Sequence, residues 1–155
     1  MDTRPIRNAA KALIIRGGKM LAVRITDGGE TWHIMPGGGQ IAGELLPEAV
    51  EREVLEETGL RVRAGELAFI VEGRQGERFH RVDLVFLCEL LSDSAENPIQ
   101  ADTNQSGLDW LDIATLNHST LYPSVLRRQI MNLHEGKPHR IYLGNENAGD
   151  PEITD

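Results

Sequence analysis

Cysteine and long apolar runs are nearly absent from this sequence. Cys88 is the only cysteine among 155 residues, so no intramolecular disulfide can form, which fits a reducing compartment. No segment approaches the run of roughly 18 apolar residues that a membrane helix needs. Residues 1–19 also lack the apolar core of a signal peptide. We therefore expect a cytoplasmic protein that does not bind a membrane.

Basic residues are outnumbered by acidic ones. The chain has 16 Lys and Arg residues against 24 Asp and Glu residues, a formal net charge of −8 at pH 7. A broad nucleic-acid footprint needs a basic surface, so this balance argues against a nucleic acid polymer as partner. An acidic protein that handles phosphate groups needs local arginines or a bound metal ion.

The remaining pattern is typical of one α/β domain. Apolar runs bounded by turn residues predict strands at 10–15, 20–25, 31–35, 67–72, 79–90 and 140–143, with a strand or turn at 108–113. Helices are predicted at 46–58 and 122–134. These elements predict an α/β sandwich with helices on the two faces of a mixed sheet. We assign residues 1–144 to a single domain and expect residues 145–155 to form a mobile polar tail.

The first predicted helix, Leu46–Thr58, carries acidic residues on the face that should pack against the sheet. At about 100° per residue, Glu53 and Glu57 fall inside the apolar arc and Glu56 falls at its edge. A solvated acidic face, the ordinary alternative, would place these glutamates opposite the apolar residues. Gly59 should end the helix as a left-handed cap.

Carboxylates on a packing face need a positive partner. They repel one another and are costly to desolvate unless a cation sits among them. A hard divalent cation with oxygen ligands, Mg²⁺ or Mn²⁺, meets this need. Arg52 lies beside the cluster and can pair with or orient one of the carboxylates.

Glycine is concentrated just before this helix. Residues 36–44 read PGGGQIAGE, with four glycines in nine positions. Glycine loses more conformational freedom on folding than any other residue, so such a segment is costly unless the backbone needs special angles or a close approach to a ligand. We expect a positive φ at Gly38 and a close approach at Gly37–Gly39. A plain surface turn is the alternative.

The glycine segment and the helix form one recognisable pattern. From Gly38, five residues lead to Glu44 and seven more to Arg52, after which REVLEETGL runs to Leu60. This spacing resembles the Nudix box at all nine constrained positions of its 23 residues. The chain is therefore identified as similar to Nudix hydrolases of the MutT-like kind. The resemblance implies the Nudix-like α/β/α sandwich, with a mixed β-sheet between helices.

The resemblance implies a metal site. Glu53, Glu56 and Glu57 would be the ligands of Mg²⁺ or Mn²⁺. The glycines Gly37, Gly38 and Gly39 would bring backbone groups close to metal and phosphates, with Gly37 offering a carbonyl.

The resemblance also implies a catalytic set, namely Arg52, Glu53, Glu56 and Glu44. Arg52 would orient the carboxylates, and Glu44 would support the loop and the helix. The implied reaction is hydrolysis of a nucleoside diphosphate linked to another moiety. The substrate would be a nucleotide sugar, ADP-ribose, a dinucleoside polyphosphate or a nucleoside triphosphate. A homodimer is left open.

Two positions depart from the family pattern. Ile41 stands where many members carry an acidic residue. Leu45 stands where Ser or Thr would cap the helix, which removes about 1 kcal/mol of stabilisation at the helix start. Neither position is one of the three metal ligands.

Two other functions are weighed against hydrolysis. A non-catalytic Nudix-like module that senses a nucleotide would not need the complete set of Arg52 and three glutamates. An isomerase of isoprenoid diphosphates shares the fold, but it needs a catalytic cysteine, and Cys88 lies in an apolar strand where it is expected to be buried.

Several further side chains are candidates for the site. The general base is either a glutamate of the box or an acid of the polar loop, Asp93, Glu96 or Asp102. Four basic residues at a hairpin end could meet phosphates or form a solvated turn: Arg74, Arg78, His80 and Arg81. Trp32 either stacks on a base or belongs to the core.

Overall fold

The computed structural model describes residues 1–91 and 105–147. In this part of the chain the elements follow in the order β1 (Ile6–Arg16), β2 (Lys19–Asp27), β3 (Glu30–Ile34), β4 (Gly37–Gly39), α1 (Leu46–Thr58), β5 (Val62–Gly73), β6 (His80–Leu90), β7 (Gln105–Asp112), a 3-10 helix (Ile113–His118), α2 (Val125–His134) and β8 (Tyr142–Asn145). Within these residues, neither helix has the length and apolar character needed to cross a membrane.

The strands form one mixed sheet in the order β3-β2-β1-β6-β5-β8. The pairs β1–β6 and β5–β8 are parallel, and the other neighbours along this path are antiparallel. Two strands lie off the path, since β4 pairs with β1 and β7 pairs with β2. β6 lies between β1 and β5, so the prediction of a central strand at 79–90 is confirmed.

Both faces of the sheet are covered, because side chains along β1 alternate between two apolar clusters. Ala10, Ala12 and Ile14 pack in the cluster that contains Val50 of α1. Leu13 packs in the other cluster, together with buried side chains of α2. The predicted α/β/α sandwich with a mixed sheet is confirmed.

Some boundaries differ from the predicted ones. Helix α2 begins at Val125 rather than at 122, because Pro123 disfavours helical angles at the residue before it. β8 ends at Asn145, and Arg81 binds Glu146 at 2.7 Å, so the chain is held in place past the predicted domain end at 144. The mobile tail stays a prediction for residues 148–155, which lie outside the described residues.

A polar network ties β2, β3 and β7 together. Arg24 donates two hydrogen bonds to the Asp109 carboxylate, at 2.7 and 2.8 Å. The His33 ring is hydrogen-bonded to Asp109 at 2.8 Å through Nε2 and to Thr120 at 2.7 Å through Nδ1. These charge-assisted bonds hold the pKa of Asp109 well below its usual range, with Arg24 as the main cause.

Candidate active site

Helix α1 positions the acidic residues of the site. Leu45 has no side-chain acceptor, as expected from its type, and its N–H instead donates to the Glu48 carboxylate at 2.8 Å. This bond is half of a capping box and partly replaces the missing Ser or Thr cap. Gly59 ends the helix with φ 78°, which confirms the predicted left-handed cap. The side chains that anchor α1 are the buried Ala49, Val50 and Val54.

The glycine segment is a short strand rather than an irregular loop. Gly37–Gly39 form β4, which pairs antiparallel with Ala9–Lys11 of β1. The prediction of a positive φ at Gly38 is wrong, because the positive value of 140° belongs to Gly37. Glycine at position 38 instead allows the Glu53 side chain to approach the backbone closely, because a β-carbon there would lie 2.5 Å from Cδ of Glu53. The strand thus leaves room for a carboxylate of α1 directly against its backbone.

Arg52 joins three glutamates and the glycine strand. It donates to both oxygens of Glu44, at 2.6 Å from Nε and 3.0 Å from Nη2. Nη1 donates to Glu53 at 2.9 Å and to Glu56 at 3.2 Å, and Nη2 also donates to the Gly39 carbonyl at 3.0 Å. Hydrogen bonding within the Arg52–Glu44 pair is the main cause of a lowered pKa at Glu44 and a raised pKa at Arg52. Both groups are therefore charged at neutral pH.

Glu57 lies in a separate and more buried environment. One of its oxygens accepts from the Gly37 N–H at 2.9 Å, and the other accepts from the Gln105 side chain at 2.6 Å. Burial raises the pKa of Glu57 above its ordinary value, against the opposing effects of the Gly37 N–H, the Lys11 charge and the Gln105 amide. A donor on each oxygen holds this carboxylate in one orientation.

The donor set of the cluster fits a hard divalent cation. Four carboxylates, those of Glu44, Glu53, Glu56 and Glu57, lie in this region, and Arg52 is hydrogen-bonded to three of them. As they stand, however, no three Asp, Glu, His or Cys side chains in residues 1–91 and 105–147 converge on a metal position. Glu53 and Glu56 meet at Arg52, whereas Glu57 faces Gly37 and Gln105. Their role as ligands stays a prediction that requires side-chain rotation.

One cavity adjoins this cluster, and a second cavity shares wall residues with the first. The first has a volume of about 890 Å³, and Gly38, Gly39 and Glu53 form part of its wall. The second has a volume of about 310 Å³ and is lined by Tyr122 and by apolar side chains between β3, β6 and α2. The cavities share two cationic wall residues, Lys11 and Arg81. Cavities of a few hundred Å³ or more are typical of small-molecule sites.

Sequence comparison decides the family. The family model for the NUDIX domain matches residues 5–132. The chain belongs to the NUDIX domain family. Members of the family generally use a divalent metal ion. A MutT-like protein from Streptomyces ambofaciens is 37% identical over 82 residues, which is 53% of this chain and 50% of that protein. The match thus spans half the length of this curated relative.

Solved NUDIX structures share the fold. A NUDIX hydrolase from Nitrosomonas europaea superposes with a TM-score of 0.69 at 24% identity, covering 88% of this chain and 93% of that one. An ADP-ribose pyrophosphatase from Streptococcus suis gives 0.65 at 20% identity, covering 88% and 97%. A UDP-X diphosphatase gives 0.66 at 22% identity, covering 92% and 68%. At identities this low, the structural similarity establishes the common fold and nothing more.

The other candidate site residues of the NUDIX chain lie either on the surface or in the cavity walls. Arg81 lines both cavities, whereas Arg74 and Arg78 are exposed and His80 pairs with Glu72 at 2.8 Å. Trp32 is half-buried beside Tyr122 and is not part of either apolar cluster.

Cys88 is buried as predicted, and burial raises the pKa of its thiol to about 12. This makes it a poor nucleophile. The three loop candidates for the general base, Asp93, Glu96 and Asp102, lie outside the described residues.

Two residues near the NUDIX box were missed by sequence reasoning. Gln105 binds Glu57 from the start of β7, and Lys11 faces Gly37 across the β1–β4 pair. Gln105 carries no motif spacing that could have revealed it. Lys11 does carry a signal, because it is a charged residue inside the apolar run AAKALII.

Proposed function

We propose that this chain is a metal-dependent pyrophosphohydrolase that cleaves a nucleoside diphosphate linked to another moiety. The observation that carries the proposal is the placement of Glu53. Its carboxylate lies against the Gly38 backbone, is hydrogen-bonded to Arg52, and forms part of the wall of the larger cavity. A charged group held at the edge of a cavity by an arginine is suited to chemistry on a bound ligand.

The names of two structural neighbours support the proposed substrate class. One is the ADP-ribose pyrophosphatase and the other is the UDP-X diphosphatase, and both names refer to nucleotide-derived compounds. A nucleotide sugar, ADP-ribose, a dinucleoside polyphosphate or a nucleoside triphosphate would satisfy the same description. In hydrolysis a water oxygen bonds to phosphorus, the bridging P–O bond breaks, and the two phosphate-bearing products leave.

The chain's own residues would orient the reacting groups. Glu53, Glu56 and Glu57 would hold Mg²⁺ or Mn²⁺, and the bound ion would supply charge neutralisation of the diphosphate and a lower pKa for the attacking water. Arg52 fixes Glu53 and Glu56 relative to Glu44, and the Gly37 N–H fixes Glu57. A glutamate of the box or an acid of the loop at 92–104 would accept the proton from water.

A substrate panel with purified protein tests the proposal. We expect hydrolysis of at least one compound with Mg²⁺ or Mn²⁺, and loss of turnover in EDTA. The Glu53→Gln variant should lower kcat by at least roughly 100-fold, because it removes a charge from the predicted metal site. Glu48→Gln is the matched control, since Glu48 lies on the same helix and glutamine still accepts the cap hydrogen bond.

Turnover that persists in EDTA or in Glu53→Gln would refute metal-dependent catalysis. Tight binding of a nucleotide without hydrolysis of any compound would instead favour the sensing module.

A further inference from the structure

Lys11 occupies a junction between the two cavities. It lies on β1, half-buried, opposite Gly37 of β4 and beside Val85 of β6. Lys11 lines both the cavity whose wall includes Gly38 and Glu53 and the cavity whose wall includes Tyr122. A ligand that extends from one cavity into the other therefore passes Lys11.

The amine of Lys11 is not tied to another side chain of the described residues. Within residues 1–91 and 105–147, its amine makes no hydrogen bond and no ion pair. Arg81, the other cation common to both cavities, is already bound to Asp83 at 2.9 Å and to Glu146 at 2.7 Å. The charge of Lys11 acts on the Glu57 carboxylate, where it opposes the rise in pKa that burial causes. A phosphate group would add charge-assisted hydrogen bonds, which this amine does not make to the described residues.

Lys11 is also close to the predicted metal site. Its strand partner Gly37 donates its N–H to Glu57 at 2.9 Å. The wall of the larger cavity includes both Lys11 and Glu53. A phosphate bound by Lys11 in that cavity would thus share it with a predicted metal ligand.

We propose that Lys11 binds a phosphate of the substrate at this junction, so that a two-ended nucleoside diphosphate derivative occupies both cavities with its diphosphate between them. This inference rests on the proposed function, because it assigns the group that receives the substrate's diphosphate. It also explains how an acidic chain binds an anion near glutamates: Lys11 lines both cavities and makes no hydrogen bond or ion pair to the residues that the structure describes.

Amine footprinting tests the site without any turnover. The chain has three lysines, Lys11, Lys19 and Lys137, so acetylation by an N-hydroxysuccinimide ester can be followed at each of them by peptide mass spectrometry. The probes are the α,β-methylene analogues of ADP and UDP with Mg²⁺, and the controls are adenosine and uridine. At least one analogue should slow acetylation of Lys11 several-fold, while neither nucleoside does so and the other two lysines react unchanged.

A pair of charge-removing variants measures the contribution of Lys11 to binding. Lys11→Met keeps the aliphatic stem, and Kd for the protecting analogue should rise roughly 10- to 100-fold, as expected for a hydrogen bond between charged groups. Kd for the matching nucleoside should change less than about twofold. Lys19→Met removes the same charge from an exposed position of β2 and should leave both constants unchanged. Lys11→Arg should retain most of the affinity, which separates a charge effect from misfolding.

Three outcomes would overturn the proposal: equal acetylation of Lys11 with and without saturating analogue, failure of both analogues to bind, or equal losses for analogue and nucleoside in Lys11→Met. Protection of Lys11 without hydrolysis of any substrate would refute the proposed hydrolase activity but support phosphate binding at Lys11. Hydrolysis of a substrate without protection of Lys11 would support the hydrolase activity and refute phosphate binding at Lys11.

Discussion

Replacing Gly38 with alanine tests whether this glycine is needed for catalysis or for folding of the glycine strand. The new methyl group would lie 2.5 Å from Cδ of Glu53 and closer still to Oε1 of the same side chain. Ordinary van der Waals contact begins at 3.4 Å, so Cδ must move by about 0.9 Å and Oε1 by more than that. A displacement near 1 Å in a reacting constellation can cost about 100-fold in rate. We therefore expect kcat to fall by about that factor.

The stability of Gly38→Ala should change little. The group that must yield is the end of a flexible side chain, and φ at this position is not positive. Moving Glu53 weakens its 2.9 Å hydrogen bond to Arg52, which costs about 1 kcal/mol. Alanine also restricts the unfolded chain, which returns about 0.4–1 kcal/mol. These effects nearly cancel, so Tm should stay within about 3 °C of the wild type.

The neighbouring glycines are matched controls. At Gly37, φ is 140° and a β-carbon would lie 2.8 Å from Cα of Lys11, where rigid backbone cannot yield. Strain and overpacking should cost about 3 kcal/mol, which lowers Tm by roughly 6–12 °C in a domain of this size. At Gly39 a β-carbon meets nothing within 4 Å. Gly39→Ala should therefore keep Tm, which makes it the control for folding.

Thermal melts and steady-state assays on the same preparations show whether Gly38 is needed for catalysis or for folding. Wild-type kcat in Gly38→Ala would refute the argument that Glu53 must lie against this backbone. A Tm as low as that of Gly37→Ala would show that Gly38 is needed for folding.

Two further predictions concern side chains that hold other parts of the site and the sheet. Gln105→Leu removes the 2.6 Å donor to Glu57, so the Mg²⁺ concentration for half-maximal activity should rise roughly tenfold while KM for substrate stays constant. Asp109→Asn should lower Tm at pH 7 by a few degrees, because it removes the charge from a bidentate pair with Arg24. The pKa of Asp109 is lowered on folding, so this stabilisation is present above the unfolded value near ~3.9 and is lost as pH falls below it.

Each of these two predictions has an outcome that would contradict it. Ser106→Ala, the next residue on β7, is the control for Gln105→Leu, and an unchanged Mg²⁺ requirement would show that Gln105 does not position Glu57. For Asp109→Asn, the difference in Tm from wild type should shrink as pH is lowered below about 4. A difference that is constant from pH 7 to pH 3 would contradict the linkage to Asp109.

Local signals in the sequence were sufficient for helix α1 and for the family. Its apolar residues recur at helical spacing and Gly59 permits the left-handed cap, so the predicted bounds at 46–58 match the observed ones. The spacing of Glu53, Glu56 and Glu57 depends only on helix geometry, and the NUDIX assignment depends on that spacing.

Long-range pairing decided the rest of the site. The positive φ lies at Gly37 and not at Gly38 because the β1–β4 pair sets the path of the backbone. Gln105 reaches Glu57 across 48 positions of sequence, and Lys11 faces Gly37 only through the register of two strands. Periodicity records which face of an element is buried, but it does not record which strands pair or in what register. Contacts between distant residues therefore came from the tertiary structure alone.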